Sequence, residues 1–189
     1  MTIFEFVSVA ISIVLGLGVA RLLSAGLDLF RHRHSTTLHW SPLVWAALIF
    51  WTQLEFWWSL FFVSQNLEVW THTDFLGTIA FTVALFAAGS LVLPAEWKAE
   101  PLDLLAFFQS EGRWGVAAFG LALVMAFPLN YRLFGVPLLM PMNLLIVAEI
   151  VAIAALVFRP TRRKTAWLTL VFMLLHLGVL SVGVQEAFS

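Results

Sequence analysis

The sequence predicts an all-helical membrane protein, a six-span bundle with both termini on the non-cytoplasmic side. Three observations predict it. First, of 189 residues 61% are hydrophobic and 11% charged, and mean hydropathy is +0.95. A soluble domain carries about 45–50% apolar and about 25% charged residues, so this chain has too little polar surface to face water. Second, the apolar residues gather into six runs, each close to the ~20 residues that cross a bilayer. Third, Lys and Arg fall in alternate loops, which is how the positive-inside rule marks the cytoplasmic side.

The runs lie at roughly 3–30, 42–64, 75–94, 114–130, 138–158 and 165–184. The first opens with Glu5 rather than a basic stretch and stays apolar to Phe30, so it reads as a span and not as a cleavable signal. Ser41-Pro42 precedes the second run and Thr73-Asp74 the third, both helix-start signals. The fourth is the weakest, because Pro128 lies inside it and Pro137 and Pro141 follow; a kink or break is expected there. Residues 101–112 can form a short helix with Leu104, Leu105 and Phe108 on one side and Asp103, Ser110 and Glu111 away from it. That pattern predicts a cytoplasmic interfacial helix docked on the protein's own helix ends. The whole chain, 1–189, reads as a single integral membrane domain.

Arg31 and Arg33 mark the first loop, Lys98 and Arg113 the third, and Arg159, Arg162, Arg163 and Lys164 the fifth. The second loop carries Glu68 and Asp74, and the fourth only Arg132. Loops one, three and five are therefore expected in the cytoplasm. Three helices followed by three in reversed order is also the arrangement an inverted 3+3 repeat produces, with a Glu in the middle helix of each half.

A resemblance adds a setting. Glu5-Phe6-Val7-Ser8, the stretch Leu15-Gly16-Leu17-Gly18-Val19-Ala20-Arg21-Leu22-Leu23, and Leu54-Glu55-Phe56-Trp57-Trp58 are followed by Leu93-Pro94, Asp103-Leu104 and Arg113-Trp114. Together they resemble a loose group of small bacterial multi-pass membrane proteins that has no assigned activity. The resemblance covers roughly the first 115 residues and implies a bacterial inner membrane. It carries over no functional residues.

Depth turns sequence position into geometry. At 1.5 Å per residue, the middle of a ~30 Å core lies about ten residues into each helix. Glu55 in the second run, Glu149 in the fifth and His176 in the sixth all fall about 11–13 residues in. Charges at that depth cost at least about 2.5–3.5 kcal/mol, so such residues face the bundle interior and need partners. Burial disfavours a carboxylate's charged form, and imidazole titrates near physiological pH. The set therefore reads as a proton or cation site. A divalent metal is a further use of two carboxylates and an imidazole, although no Glu-x-x-His or His-x-x-x-His spacing occurs within one helix. The bland reading makes each group a neutral hydrogen-bond partner inside the bundle. Thr52 and Ser59 flank Glu55 at helical spacing, and Thr169 flanks His176; each is a candidate partner.

The first run carries small or polar residues at every fourth position, namely Ser8, Ser12, Gly16, Ala20 and Ser24, ending at Asp28. This pattern suits close helix packing of the GxxxG kind, and Ser12 is also suited to line a water path. Gly77, Ala80, Ala84 and Ala88 repeat the pattern in the third run, as do Ala148, Ala152 and Ala155 in the fifth. Arg21 is expected to reach back toward Asp28 at the interface, or else to tether a buried carboxylate. Trp51, Phe56, Trp57 and Trp58 surround Glu55 and read mainly as lipid- or neighbour-facing. His32, His34 and His39 sit beside arginines in the first loop and read as solvated.

Several functions are excluded. Net charge is −1, with no basic stripe for nucleic acid. Cysteine is absent, which removes disulfides, thiolate metal sites and Cys nucleophiles. No cofactor is expected: retinal needs a mid-membrane Lys, and paired-His haem needs a second deep His. Neither HExxH nor GxSxG occurs. The first reading is a small transporter or channel with Glu55, Glu149 and His176 in its pathway. The alternative is a non-catalytic scaffold that binds a protein partner, and an intramembrane enzyme ranks third. Beyond the lipid bilayer, a homo-oligomer is expected from the chain's small size and its small-residue stripes.

Overall fold

The computed structural model describes residues 3–66, 69–96, 101–158 and 160–187, with side chains through 64 in the second helix and through 180 in the sixth. Glu68, Lys98 and Arg159, used above for loop charge, lie outside the described residues. The described residues form six long helices: Ile3–Arg31, Trp40–Asn66, His72–Val92, Leu104–Phe134, Pro141–Phe158 and Arg162–Ala187. All six are long and apolar enough to span a membrane. Helix is the form hydrocarbon demands, since it satisfies every backbone group within the segment.

The first helix shows how a core forms when both faces are apolar. Val7, Ile11, Leu15, Gly18, Leu22, Ala25 and Leu29 are buried at spacings of four and three. Between them Phe6, Val9, Ile13, Leu17, Leu23 and Leu27 point outward. Gly16, Ala20 and Ser24 of the small-residue stripe also point outward, with Ser8 and Ser12 half-buried. A Cβ on Gly16 would meet nothing within 4 Å. Within this chain, then, the stripe is not the packing face as expected. The packing seam is instead a heptad-spaced row in which Val7, Ile11, Leu15, Leu22 and Leu29 alternate with the small Gly18 and Ala25.

The fourth helix also departs from expectation. Instead of a separate interfacial helix over 101–112 and a short span, residues Leu104–Phe134 form one helical run of 31 residues, about 46 Å long. Asp103 caps its start by accepting from the backbone N–H groups of Leu105 and Ala106. Phe108–Gly112 make a π turn, and the α-helix resumes at Arg113. The charges of Asp103, Glu111 and Arg113 interrupt hydropathy there but not the hydrogen-bond ladder. Leu104, Leu105 and Phe108 are buried, so this extension docks on the bundle. Pro128 neither ends nor splits the helix, which continues to Phe134 and closes at Gly135 with φ +68°. Gly115 permits a close approach of the third and fourth helices. A Cβ there would lie 2.6 Å from the Val92 backbone nitrogen of the third helix.

The first helix packs on the second and third, the third on the fourth, the fourth on the fifth and the fifth on the sixth. The second lies against the first, third, fourth and sixth. The two halves pack differently: the first helix lies along the third, whereas the fourth meets the sixth through side chains such as Gln109 with Thr165 and Phe119 with Phe172.

Polar groups tie the ends. In the first and third loops Thr36–Thr37 pairs in parallel with Leu102–Asp103. His39 sits near Arg162 and Asp103, so loops one, three and five share one end of the bundle. At the other end Arg132 pairs with Asp74 at 3.0 Å and donates to the Val69 carbonyl. Asp74 also closes the capping box with Thr71 that starts the third helix. Among the described residues Arg21 meets neither Asp28 nor a buried carboxylate. It donates to the Pro94 carbonyl just past the third helix, while Asp28 is held by Arg31.

Candidate functional site

The sixth helix turns one polar face inward. Thr165, Thr169, Phe172 and His176, spaced four, three and four, are all buried. Each threonine is occupied: Thr165 accepts from Gln109 Nε2 at 3.1 Å, and Thr169 accepts from the Trp45 indole at 3.0 Å while donating to the Thr165 carbonyl. Above them Trp45, Phe119 and Phe172 form an aromatic box. The His176 ring stacks on Phe172 at 5.7 Å and meets Phe119 edge-on at 6.5 Å.

Across from this face the fifth helix presents Glu149, with no exposed surface. Its Oε1 lies 2.9 Å from His176 Nδ1. On the ring's other side, Nε2 lies 3.5 Å from Thr52 Oγ1 of the second helix, at the outer edge of hydrogen bonding. Thr52 donates its own proton to the Leu48 carbonyl, which leaves its oxygen free to accept. That arrangement suits a proton on His176 Nε2. One further proton then lies between Nδ1 and Oε1. With it on Glu149 the pair is a neutral acid beside a neutral imidazole; with it on His176 the pair is a carboxylate beside an imidazolium. Both states have zero net charge and interconvert without moving a heavy atom. The two groups therefore share one hydrogen bond and one proton position between them. Glu149 Oε2 is buried and has no hydrogen-bond partner among the described residues.

Glu55 is half-buried, one turn beyond Thr52 on the second helix. Its side-chain hydrogen-bond partner is Trp51, and it lies within electrostatic reach of His176. The expected trio is therefore a bonded carboxyl–imidazole pair with a second carboxyl nearby. Among the described residues no three His, Asp or Glu side chains stand close enough to hold a metal ion, which corrects the divalent-cation reading. Of the expected partners, Thr52 serves His176 rather than Glu55. Ser59 donates to the Phe56 carbonyl of its own helix, and Thr169 is taken by Trp45. Ser12 stands on the first helix, which packs on the second and third, away from the pair. Trp51, Trp57 and Trp58 are exposed to the surroundings, while Phe56 packs on Phe81 at 4.6 Å.

Sequence reasoning missed Gln53. It is 1% exposed, donates to the Leu85 carbonyl at 3.3 Å and lies wedged between Gly18 and Gly89. A Cβ on Gly18 would come within 2.6 Å of its Oε1. The available signal is its depth, two residues before Glu55, but an uncharged amide does not stand out in an apolar run. The second helix thus offers Gln53 to the first and third helices and Thr52 to the sixth. Trp45, Phe119 and Phe172 were likewise hidden among many aromatics.

Two grooves among the described residues are external, each about 510 Å³. One lies between the fourth and fifth helices, the other at the turn joining the fifth and sixth, and neither touches Glu149, His176 or Glu55. No protein-family model, curated protein or solved structure matches this chain.

Proposed function

We propose that the protein is a small transporter or channel of the bacterial inner membrane whose transport responds to, or is coupled to, protons. The observation that carries this reading is the Glu149–His176 hydrogen bond of 2.9 Å between two buried groups on adjacent spans. A carboxyl and an imidazole at this depth are costly, and such residues mark ion paths and proton relays. The pair holds one mobile proton at no net charge. Losing it leaves a buried anion, and gaining a second leaves a buried cation. Either change shifts the electrostatic balance between the fifth and sixth helices and the second. Glu55, within reach of His176, is the second carboxyl of the pathway.

Proton and cation flux in proteoliposomes tests this. Wild type should carry a flux under a pH or potential gradient that Glu149→Gln abolishes and Glu55→Gln reduces, with folding retained. Wild-type flux in both single variants and the double variant would reject the reading.

A second reading, a scaffolding subunit in a homo-oligomer or with a protein partner, has its own support. Gly16, Ala20 and Ser24 present small side chains outward from the first helix, where another helix could approach closely. Under that reading Gly16→Leu disrupts association, and no variant of the pair changes flux.

A further inference from the structure

At the end of the bundle that gathers loops one, three and five, the sixth helix opens on three consecutive basic residues. Arg162 is exposed, and its charge acts on His39. Arg163 and Lys164 line a groove of about 510 Å³ together with Thr161, Trp167, Leu168 and Ala155 of the fifth helix. Arg163 and Lys164 are exposed, and neither has an acidic partner among the described residues. Helical spacing places Trp167 one turn below Arg163, and Leu168 one turn below Lys164. The groove is thus cationic at its mouth and apolar below, with a Trp, 60% exposed, along its wall.

The geometry points to a binding site for one anionic phospholipid, independent of the proton reading. The phosphate sits between the Arg163 guanidinium and the Lys164 ammonium, and an acyl chain descends along Trp167, Leu168 and Ala155. Charge complementarity selects this occupant. A zwitterionic lipid brings its own cation to the same two groups, whereas a net-anionic headgroup does not. Basic pockets between spans recognise acidic headgroups in this way, and interfacial Trp belongs at headgroup depth.

Native mass spectrometry of the detergent-purified full chain tests it, with phosphatidylglycerol and phosphatidylcholine of identical acyl chains as probes. Wild type should retain one phosphatidylglycerol in preference to phosphatidylcholine. Arg163→Gln with Lys164→Gln should weaken that retention roughly thirtyfold, two charges' worth of attraction. Arg33→Gln, which removes an exposed charge in the first loop, should leave it unchanged. Equal retention of the two lipids by wild type overturns the site and needs no variant. Undiminished retention in the double variant overturns it too, as does an equal loss in Arg33→Gln, which would mean a diffuse basic rim.

Discussion

Replacing Glu149 by Gln and, separately, by Leu distinguishes the two forms of the buried pair. Thr52 spends its proton on the Leu48 carbonyl, so it favours a proton on His176 Nε2. If the second proton rests on Glu149, Oε1 donates to Nδ1 across 2.9 Å. Gln has the same shape and can donate an amide N–H to the same nitrogen. Glu149→Gln then trades one interhelical hydrogen bond for another, at a cost below about 0.6 kcal/mol, the usual size of such a bond in a bilayer. Glu149→Leu leaves Nδ1 buried without a partner and costs about 1–3 kcal/mol. If the pair is ionised instead, Gln removes the counter-charge of an imidazolium. The charge then left at mid-depth costs about 2.5–3.5 kcal/mol unless the ring gives up its proton. Reversible unfolding in mixed detergent micelles reads the difference. The expected order is wild type, then Gln within about 1 kcal/mol, then Leu clearly lower. A Gln variant as unstable as the Leu variant would refute the neutral pair.

Two further outcomes follow from the packing and the loops. Gly115→Ala should destabilise the protein by about 1–3 kcal/mol, because its Cβ would lie 2.6 Å from a backbone nitrogen that has no room to yield; Gly16→Ala, which meets nothing, should stay within about 0.5 kcal/mol in the same thermal-unfolding assay. His39 should titrate below the ordinary imidazole value of 6.5, chiefly because burial disfavours its charge, with Arg162 adding to the effect and Asp103 opposing it. The Ser41 N–H donating to its Nδ1 also needs the neutral ring. A base whose pKa is lowered by folding contributes stability that is complete above 6.5 and is lost as pH falls through the lower value. NMR should find its midpoint rising partway in Arg162→Gln, and acid sensitivity should shrink in His39→Gln; a midpoint at or above 6.5 would contradict the geometry.

The six helices were legible because hydrocarbon thickness fixes their length, and the depth of Glu149 and His176 was legible by the same arithmetic. Rotation about each helix axis was not. In water a helix declares its inner face by polarity, but here lipid is as apolar as the core. Nothing in the sequence distinguishes buried Leu15 from exposed Leu17. The small-residue stripe of the first helix looked like a seam for that reason, while the seam itself runs through Val7, Ile11 and Leu15. Rotation also decides that Gln53 is enclosed and Glu55 half-exposed, although only two residues separate them. Hydropathy likewise misplaced the start of the fourth helix, because charge ends an apolar run without ending a helix.

Glu149 and His176 are 27 residues apart, on the two arms of a single hairpin. A chain that enters the bilayer segment by segment meets its most expensive side chains in succession. Here the fifth and sixth helices can go in together, with the carboxyl and the imidazole already cancelling one another's demand. Neither group has to wait in lipid for a distant helix to arrive. Docking against Thr52 and Trp45 then completes a site whose costly half is already assembled, so the order of synthesis and the order of satisfaction coincide.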